Sequence, residues 1–193
     1  MTSLRTFIAI DFPKEVIKQI VAIQKSLNDS ISSVVRWTTS ENTHLTLKFL
    51  GEIESAKELI IEKTLDDITN EINPFYLNLK GIGVFPNWHR PRIVWIGIEK
   101  SQPLYLLAKL IEEKMFTLGC QKEIKPFSPH LTIGRVRDNI SNEDIQVLEK
   151  RCLIHTINID RILISQIHLY KSDLHSFGPI YTLLNSSSFK ATL

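Results

Sequence analysis

The chain is poor in the features that mark several protein classes. Only two of its 193 residues are cysteine, and Cys120 and Cys152 form neither a CxxC pair nor part of a paired-histidine ligand pattern. That argues against a disulfide scaffold, and reduced, buried thiols are expected, as in a cytoplasmic protein. Charge of one sign is also scarce, because 23 basic residues against 21 acidic ones leave a net charge of +2, and the basic residues are dispersed. Such a chain would not hold a long polyanion against physiological salt, so any nucleic acid must bind at a small site. Long apolar runs are missing too. Phe7-Ile8-Ala9-Ile10 is cut off by Asp11 and Pro13, far short of a signal-peptide core or a membrane span, and it reads as a strand. No membrane association and no obligate protein partner are evident.

What is present is ordinary for a folded domain: 43% hydrophobic and 23% charged residues give enough apolar surface for a core. The length suits one domain or two small lobes sharing one body. Residues 4–12 have a buried-strand pattern, followed by a helix that starts at Pro13. A short strand over 34–37, a turn over 38–42 and a strand over 43–51 come next, then amphipathic helix spacing over 55–71. Alternation over 75–85 predicts a strand with Leu77 and Leu79 on the face opposite Tyr76, Asn78 and Lys80. An exposed loop, 86–91, separates it from a strand over 92–99, a helix over 103–118 stopped by Gly119, and a strand over 130–136. A helix over 142–152 has Ser141 as N-cap with Asp144 three residues on. Residues 156–170 and 180–184 alternate like strands about Gly178-Pro179.

Both halves therefore read strand, helix, strand, helix, strand, and the likeness extends to residues. Ile8-Ala9-Ile10-Asp11 matches Ile96-Gly97-Ile98-Glu99 at an offset of 88, and His44-Leu45-Thr46-Leu47 matches His130-Leu131-Thr132-Ile133 at an offset of 86. An internal duplication follows, with the two-residue difference assigned to a loop. The expected architecture is a single bilobal α+β domain over 1–193, its lobes built from pseudo-repeats at approximately 1–86 and 87–193 and related by an approximate two-fold axis.

The chemistry lies in the repeated tetrapeptide. Successive strand side chains point to opposite faces, so His44 shares a face with Thr46, and His130 with Thr132, while Leu45, Leu47, Leu131 and Ile133 face the core. If the lobes face each other, each offers one imidazole and one hydroxyl to a common cleft. Opening a cyclic phosphodiester requires a base for water and an acid for the departing ribose oxygen. Two imidazoles suit both tasks, because an unperturbed pKa of about 6.5 keeps both protonation states within reach. The threonine hydroxyls can donate to non-bridging phosphate oxygens. One His-x-Thr with apolar intervening residues is an ordinary strand fragment, expected roughly 0.07 times by chance in this composition, and only the matched pair makes a site. Two histidines 86 residues apart with no obvious third ligand do not make a zinc centre, so neither a metal nor another cofactor is expected.

With those residues in view, the sequence resembles the two-histidine phosphoesterase superfamily, and within it the bacterial and archaeal RNA 2′,3′-cyclic phosphodiesterases, historically called 2′-5′ RNA ligases. Segments 5–11, 36–37, 42–52, 81–86, 91–95, 126–135 and 172–181 carry the resemblance in the family's order. It implies two antiparallel sheets with flanking helices around a central cleft, hydrolysis of RNA 2′,3′-cyclic phosphate ends to 2′-phosphates, and a reversible 2′-5′ ligation. It also implies His44 and His130 as catalysts, Thr46 and Thr132 as phosphate ligands, and Phe49 and Arg135, each five residues past its histidine, as contacts to base and phosphate. Strict alternation puts Phe49 and Arg135 on the face opposite the histidines. For Phe49 this favours a core position; for Arg135, Gly134 permits a bulge that would re-aim it.

Arg36-Trp37 reads as either a border of the cleft or, the favoured reading, a surface charge beside a core ring, and Tyr181 as either a base contact or a sheet closure. His89, His155, His168 and His175 show no paired spacing and are expected to be satisfied or exposed. The run Lys48, Glu52, Glu54, Lys57, Glu58 is expected to be a solvated face. A nucleotide-binding module without turnover, a metal hydrolase, and a phosphodiesterase acting on 2′-5′ oligonucleotides or a cyclic phosphate on a small sugar are the rival readings.

Overall fold

The computed structural model describes residues 3–28, 31, 33–176 and 178–190. Among these residues two antiparallel sheets and four α-helices make up the fold. Strand β1 (Ser3–Ile10) leads into α1 (Lys14–Asn28), whose first turn begins with Val16 and Ile17 donating to the Pro13 carbonyl. After β2 (Val35–Trp37) and a 3₁₀ turn at Ser40–Asn42 come β3 (Leu45–Glu54), α2 (Glu58–Asn70) and β4 (Phe75–Phe85). The second half holds β5 (Ile93–Ile98), α3 (Gln102–Thr117), β6 (His130–Val136), α4 (Asn142–Ile154), β7 (Asn158–Ile164), β8 (Gln166–His175) and β9 (Gly178–Ser188). The expected helix stop is met at Gly119, whose φ of +85° favours a residue without a side chain. Ser141 and Asp144 form a complete capping box on α4.

One sheet has the order β3-β1-β8-β9 and the other β2-β6-β5-β4-β7. The lobes expected over 1–86 and 87–193 are thus not the sheets, since the halves exchange strands. β2 and β4 from the first half lie in the second sheet, while β8 and β9 return to β1. Hydrogen bonding explains the exchange: each hairpin-like pair, β1 with β3 and β5 with β6, leaves one side of β1 and of β5 open. That side is closed by a strand from the other half, β8 on β1 and β4 on β5. Helices cross as well. α3 packs on β3 and α2, whereas Gln24 of α1 donates from its Nε2 to the carbonyls of Thr38 and Ile133, on the second sheet.

The pairing also corrects the repeat. Ile10 faces Leu45 and Ile96 faces Leu131, so one offset of 86 relates both strands of the pair and no two-residue loop difference is needed. Ile8 corresponds to Val94 rather than Ile96; the sequence match at 88 arose because buried strands repeat apolar residues every second position. In both copies the motif strand carries a bulge at the same place. Between Ile8 and Ala9 the partner register skips Leu47, and between Val94 and Trp95 it skips Ile133.

Lys48, expected on a solvated face, is 2% exposed. The bulge leaves it on the helix side of β3, where its Nζ donates to Glu112 Oε2 at 2.7 Å and to the Gln121 carbonyl at 2.8 Å. Glu112 Oε1 in turn accepts from the Glu123 amide, so this pair, with Lys48 buried and Glu112 partly so, ties the first motif to the segment that leads into His130. Removing one partner of a buried pair strands the other charge. Glu112→Leu should therefore cost about 3 to 5 kcal/mol of unfolding free energy in urea titrations, and Lys48→Met/Glu112→Leu should recover most of that loss. An effect of the single substitution below about 1 kcal/mol would show that the pair is not needed for stability.

Candidate active site

His44 ends the loop before β3, and His130 opens β6. Together with Thr46 and Thr132 they line a single cleft of about 310 Å³ between the two sheets. Arg135 and Phe49 line it too. The bulge is the reason for both. Leu47 and Lys48 turn to the same side, and the next residue, Phe49, is delivered to the cleft with 58% of its surface exposed. The expectation that Phe49 is a core residue is corrected, because strict alternation fails at the bulge. In the second copy Ile133 and Gly134 take those places and Arg135 follows. A Cβ at Gly134 would stand 2.5 Å from Val35 Cγ1, so the closeness of β2 demands glycine there.

The two imidazoles have different surroundings. His44 stacks on Phe7 with ring centroids 4.9 Å apart and meets the edge of Tyr181 at 5.3 Å. Burial among these rings pushes its pKa down to about 4, offset in part by the negative charge of Asp11. His130 is edge-on to Phe85, and its Nδ1 lies 2.7 Å from the Ser128 carbonyl. A carbonyl only accepts, so Nδ1 carries the proton and Nε2 is the nitrogen left for chemistry.

Several lining residues were not singled out as substrate contacts in the sequence. Arg36 and Trp37 border the cleft, with the Trp37 indole donating to Asn28 Oδ1. Asn42 donates to the Pro179 carbonyl and joins the loop before His44 to the start of β9. Phe7 and Tyr170 form a stacked bed, 5.4 Å between centroids, behind His44. Cross-strand register alone brings Phe7 opposite both Phe49 and Tyr170, and no local sequence signal announces it. The Tyr170 hydroxyl donates to Asp11, and burial together with that carboxylate holds it well above the ordinary phenol range.

The remaining histidines stand apart from this lining. His155 is held by Ser26 and the Arg151 carbonyl, His168 is buried beside Ser186, and His89 is exposed. Cys120 and Cys152 are buried and unpaired. No group of three or more His, Cys, Asp or Glu side chains placed to hold a metal ion occurs among the described residues, and no described helix is long and apolar enough to cross a membrane.

Two imidazoles, four threonine hydroxyls and two guanidinium groups line the cleft, with no carboxylate among the described lining residues. Such a site suits an anion whose reaction needs proton transfer at two points. One His-x-Thr face from each of two equivalent strands, meeting in a cleft between antiparallel sheets, defines the two-histidine phosphoesterase class. The chain belongs to the LigT-like phosphoesterase family, whose model matches residues 10–95 and again 96–181. It is 34% identical over 193 residues to the RNA 2′,3′-cyclic phosphodiesterase of Thermotoga maritima, covering 98% of each chain. It is 34% identical over 186 residues to the enzyme of the same name from Methanocaldococcus jannaschii, covering 94% of this chain and 98% of that one. Among solved structures, E. coli LigT complexed with 3′-AMP superposes with a TM-score of 0.78 at 26% identity, over 97% of this chain and 99% of that one.

The low pKa of His44 makes stability depend on pH. The unfolded ring takes up a proton below about pH 6.5 and the folded ring only near its depressed pKa, so this contribution is complete above about 6.5 and is lost as pH falls toward 4. Between about pH 7 and pH 4.5 the loss should be on the order of 2 to 3 kcal/mol, and His44→Leu should remove that part of the pH dependence in urea titrations. Equal pH slopes for the two proteins would contradict the burial of a neutral imidazole.

Proposed function

We propose that the protein hydrolyses RNA 2′,3′-cyclic phosphate ends to 2′-phosphate ends, with His44 and His130 as paired general base and general acid. The observation that carries this reading is the meeting of two His-x-Thr faces in one cleft with no carboxylate among its described lining residues, in a chain whose relatives bear the name RNA 2′,3′-cyclic phosphodiesterase. One imidazole takes a proton from water, which attacks phosphorus. The other delivers a proton to the ribose 3′ oxygen as the P–O3′ bond breaks, leaving a 2′-phosphate and a free 3′ hydroxyl. Thr46 and Thr132 donate to the non-bridging oxygens, and Arg135 neutralises the charge that develops there. Phe49 offers its exposed face to the terminal base. An anionic phosphate beside His44 favours the protonated ring, so its pKa rises from the depressed value when substrate binds.

These groups supply acid, base and charge stabilisation without calling on a metal. With a 5′ ribose hydroxyl attacking in place of water and the P–O3′ bond breaking as before, the same geometry forms the 2′-5′ linkage of the ligation that the family resemblance implies. Two buried, unpaired thiols fit the cytoplasm as its compartment.

Product analysis on an RNA fragment ending in a 2′,3′-cyclic phosphate tests the reading. The wild type should yield the 2′-phosphate, and His44→Ala and His130→Ala should each lose about 10²-fold or more in rate. Near-normal turnover by either variant would refute the paired mechanism, and binding without any product from the wild type would make the cleft a nucleotide-binding module. Activity should persist in excess chelator; a loss restored by one added metal ion would place a metal in the reaction.

A further inference from the structure

The cleft carries more positive charge than a cyclic phosphate requires. That group is a monoanion, and one arginine, Arg135, already lines the cleft beside the two threonines. Yet Arg36 stands directly opposite Arg135 in the β2–β6 ladder. Residues directly opposite in an antiparallel pair share a face, and like charges placed so are destabilising. Among the described residues no Asp or Glu lines the cleft, and no ion pair joins a described carboxylate to either guanidinium. Arg36 is exposed and lies on β2, the edge strand of its sheet, one strand further out from the centre than Arg135. An uncompensated arginine pair on the wall of a cleft is what two anions in sequence would stabilise.

We infer that Arg36 is the receptor for a second phosphate, the one linking the terminal nucleotide to its neighbour, so that the preferred substrate is an RNA end of at least two nucleotides rather than a cyclic mononucleotide. The inference rests on the proposed hydrolysis and names the substrate class of the same site. The terminal cyclic phosphate lies between His44 and His130, and the strand leaves the cleft over β2, where its next phosphate meets a planar, bidentate donor.

The test pairs a protein change with a substrate change. Two dinucleotides ending in a 2′,3′-cyclic phosphate are compared, one with a normal internucleotide phosphate and one with a neutral methylphosphonate in its place. The wild type should favour the charged linkage by about tenfold in kcat/KM, as expected for loss of a charge-assisted hydrogen bond. In Arg36→Met that ratio should fall to about one, and the salt dependence of KM for the charged dinucleotide should become shallower. Equal use of both substrates by the wild type would overturn the subsite alone. So would an Arg36→Met variant that keeps the wild-type ratio, since Arg36 would then act on the reacting phosphate or on neither. A wild type that hydrolyses neither dinucleotide would overturn the reaction itself and the subsite with it.

Discussion

The site depends on one interrupted alternation. A strand sends every second side chain to the same face, so a histidine and the residue five positions later normally point in opposite directions. In β3 and again in β6 a single extra residue breaks that rule just after the threonine. The strand then shows the cleft a histidine, a threonine and, past the bulge, Phe49 or Arg135. Without the bulge each motif would still present its imidazole and hydroxyl to the cleft, but neither the Phe49 ring nor the inner guanidinium. The two copies secure the bulge by different means: Lys48 is anchored in a buried ion pair, while Gly134 makes room for the close approach of β2.

Exchange between the halves turns these two strands into one site. Each sheet is completed by strands of the other half, and each motif is tied to the segment that carries the other histidine. Lys48 and Glu112 hold the stretch through Gln121 and Glu123 that leads to His130. Gln24 holds Thr38, ahead of His44, together with the carbonyl of Ile133 in the second motif. Of these contacts the Gln24–Ile133 bond is buried and those of Gln24 to Thr38 and Lys48 to Gln121 partly so, which limits competition from water. They span the two motifs and fix the loops that lead to each histidine.

Within this near-symmetry the two histidines are chemically unequal. His44 lies on an aromatic bed that favours its neutral form, and His130 is oriented by a backbone carbonyl that fixes which nitrogen is free. The asymmetry comes from residues outside the repeated tetrapeptide. The symmetric motif supplies the imidazoles and hydroxyls, and the strands packed behind each copy set their surroundings and direction.

The sequence by itself determined the duplicated His-x-Thr faces, the buried thiols and the element order up to α4, because hydrophobic period and local capping are short-range properties written in consecutive residues; the run over 156–170, read as one alternating stretch, is two strands, β7 and β8, in different sheets. The strand over residues 75–85 and the strand from His130 to Val136 were legible to the residue, as was the capping box of α4. Phe49 was misread and Arg135 left open, since a bulge is a property of two paired strands and not of one. Lys48 was misread for a related reason: its acidic partner lies on a helix 64 residues away. The strand exchange, the common offset of 86 and the opposition of Arg36 to Arg135 were decided only by tertiary structure. All three depend on which strands share hydrogen bonds, and that choice is made by burial across the whole fold.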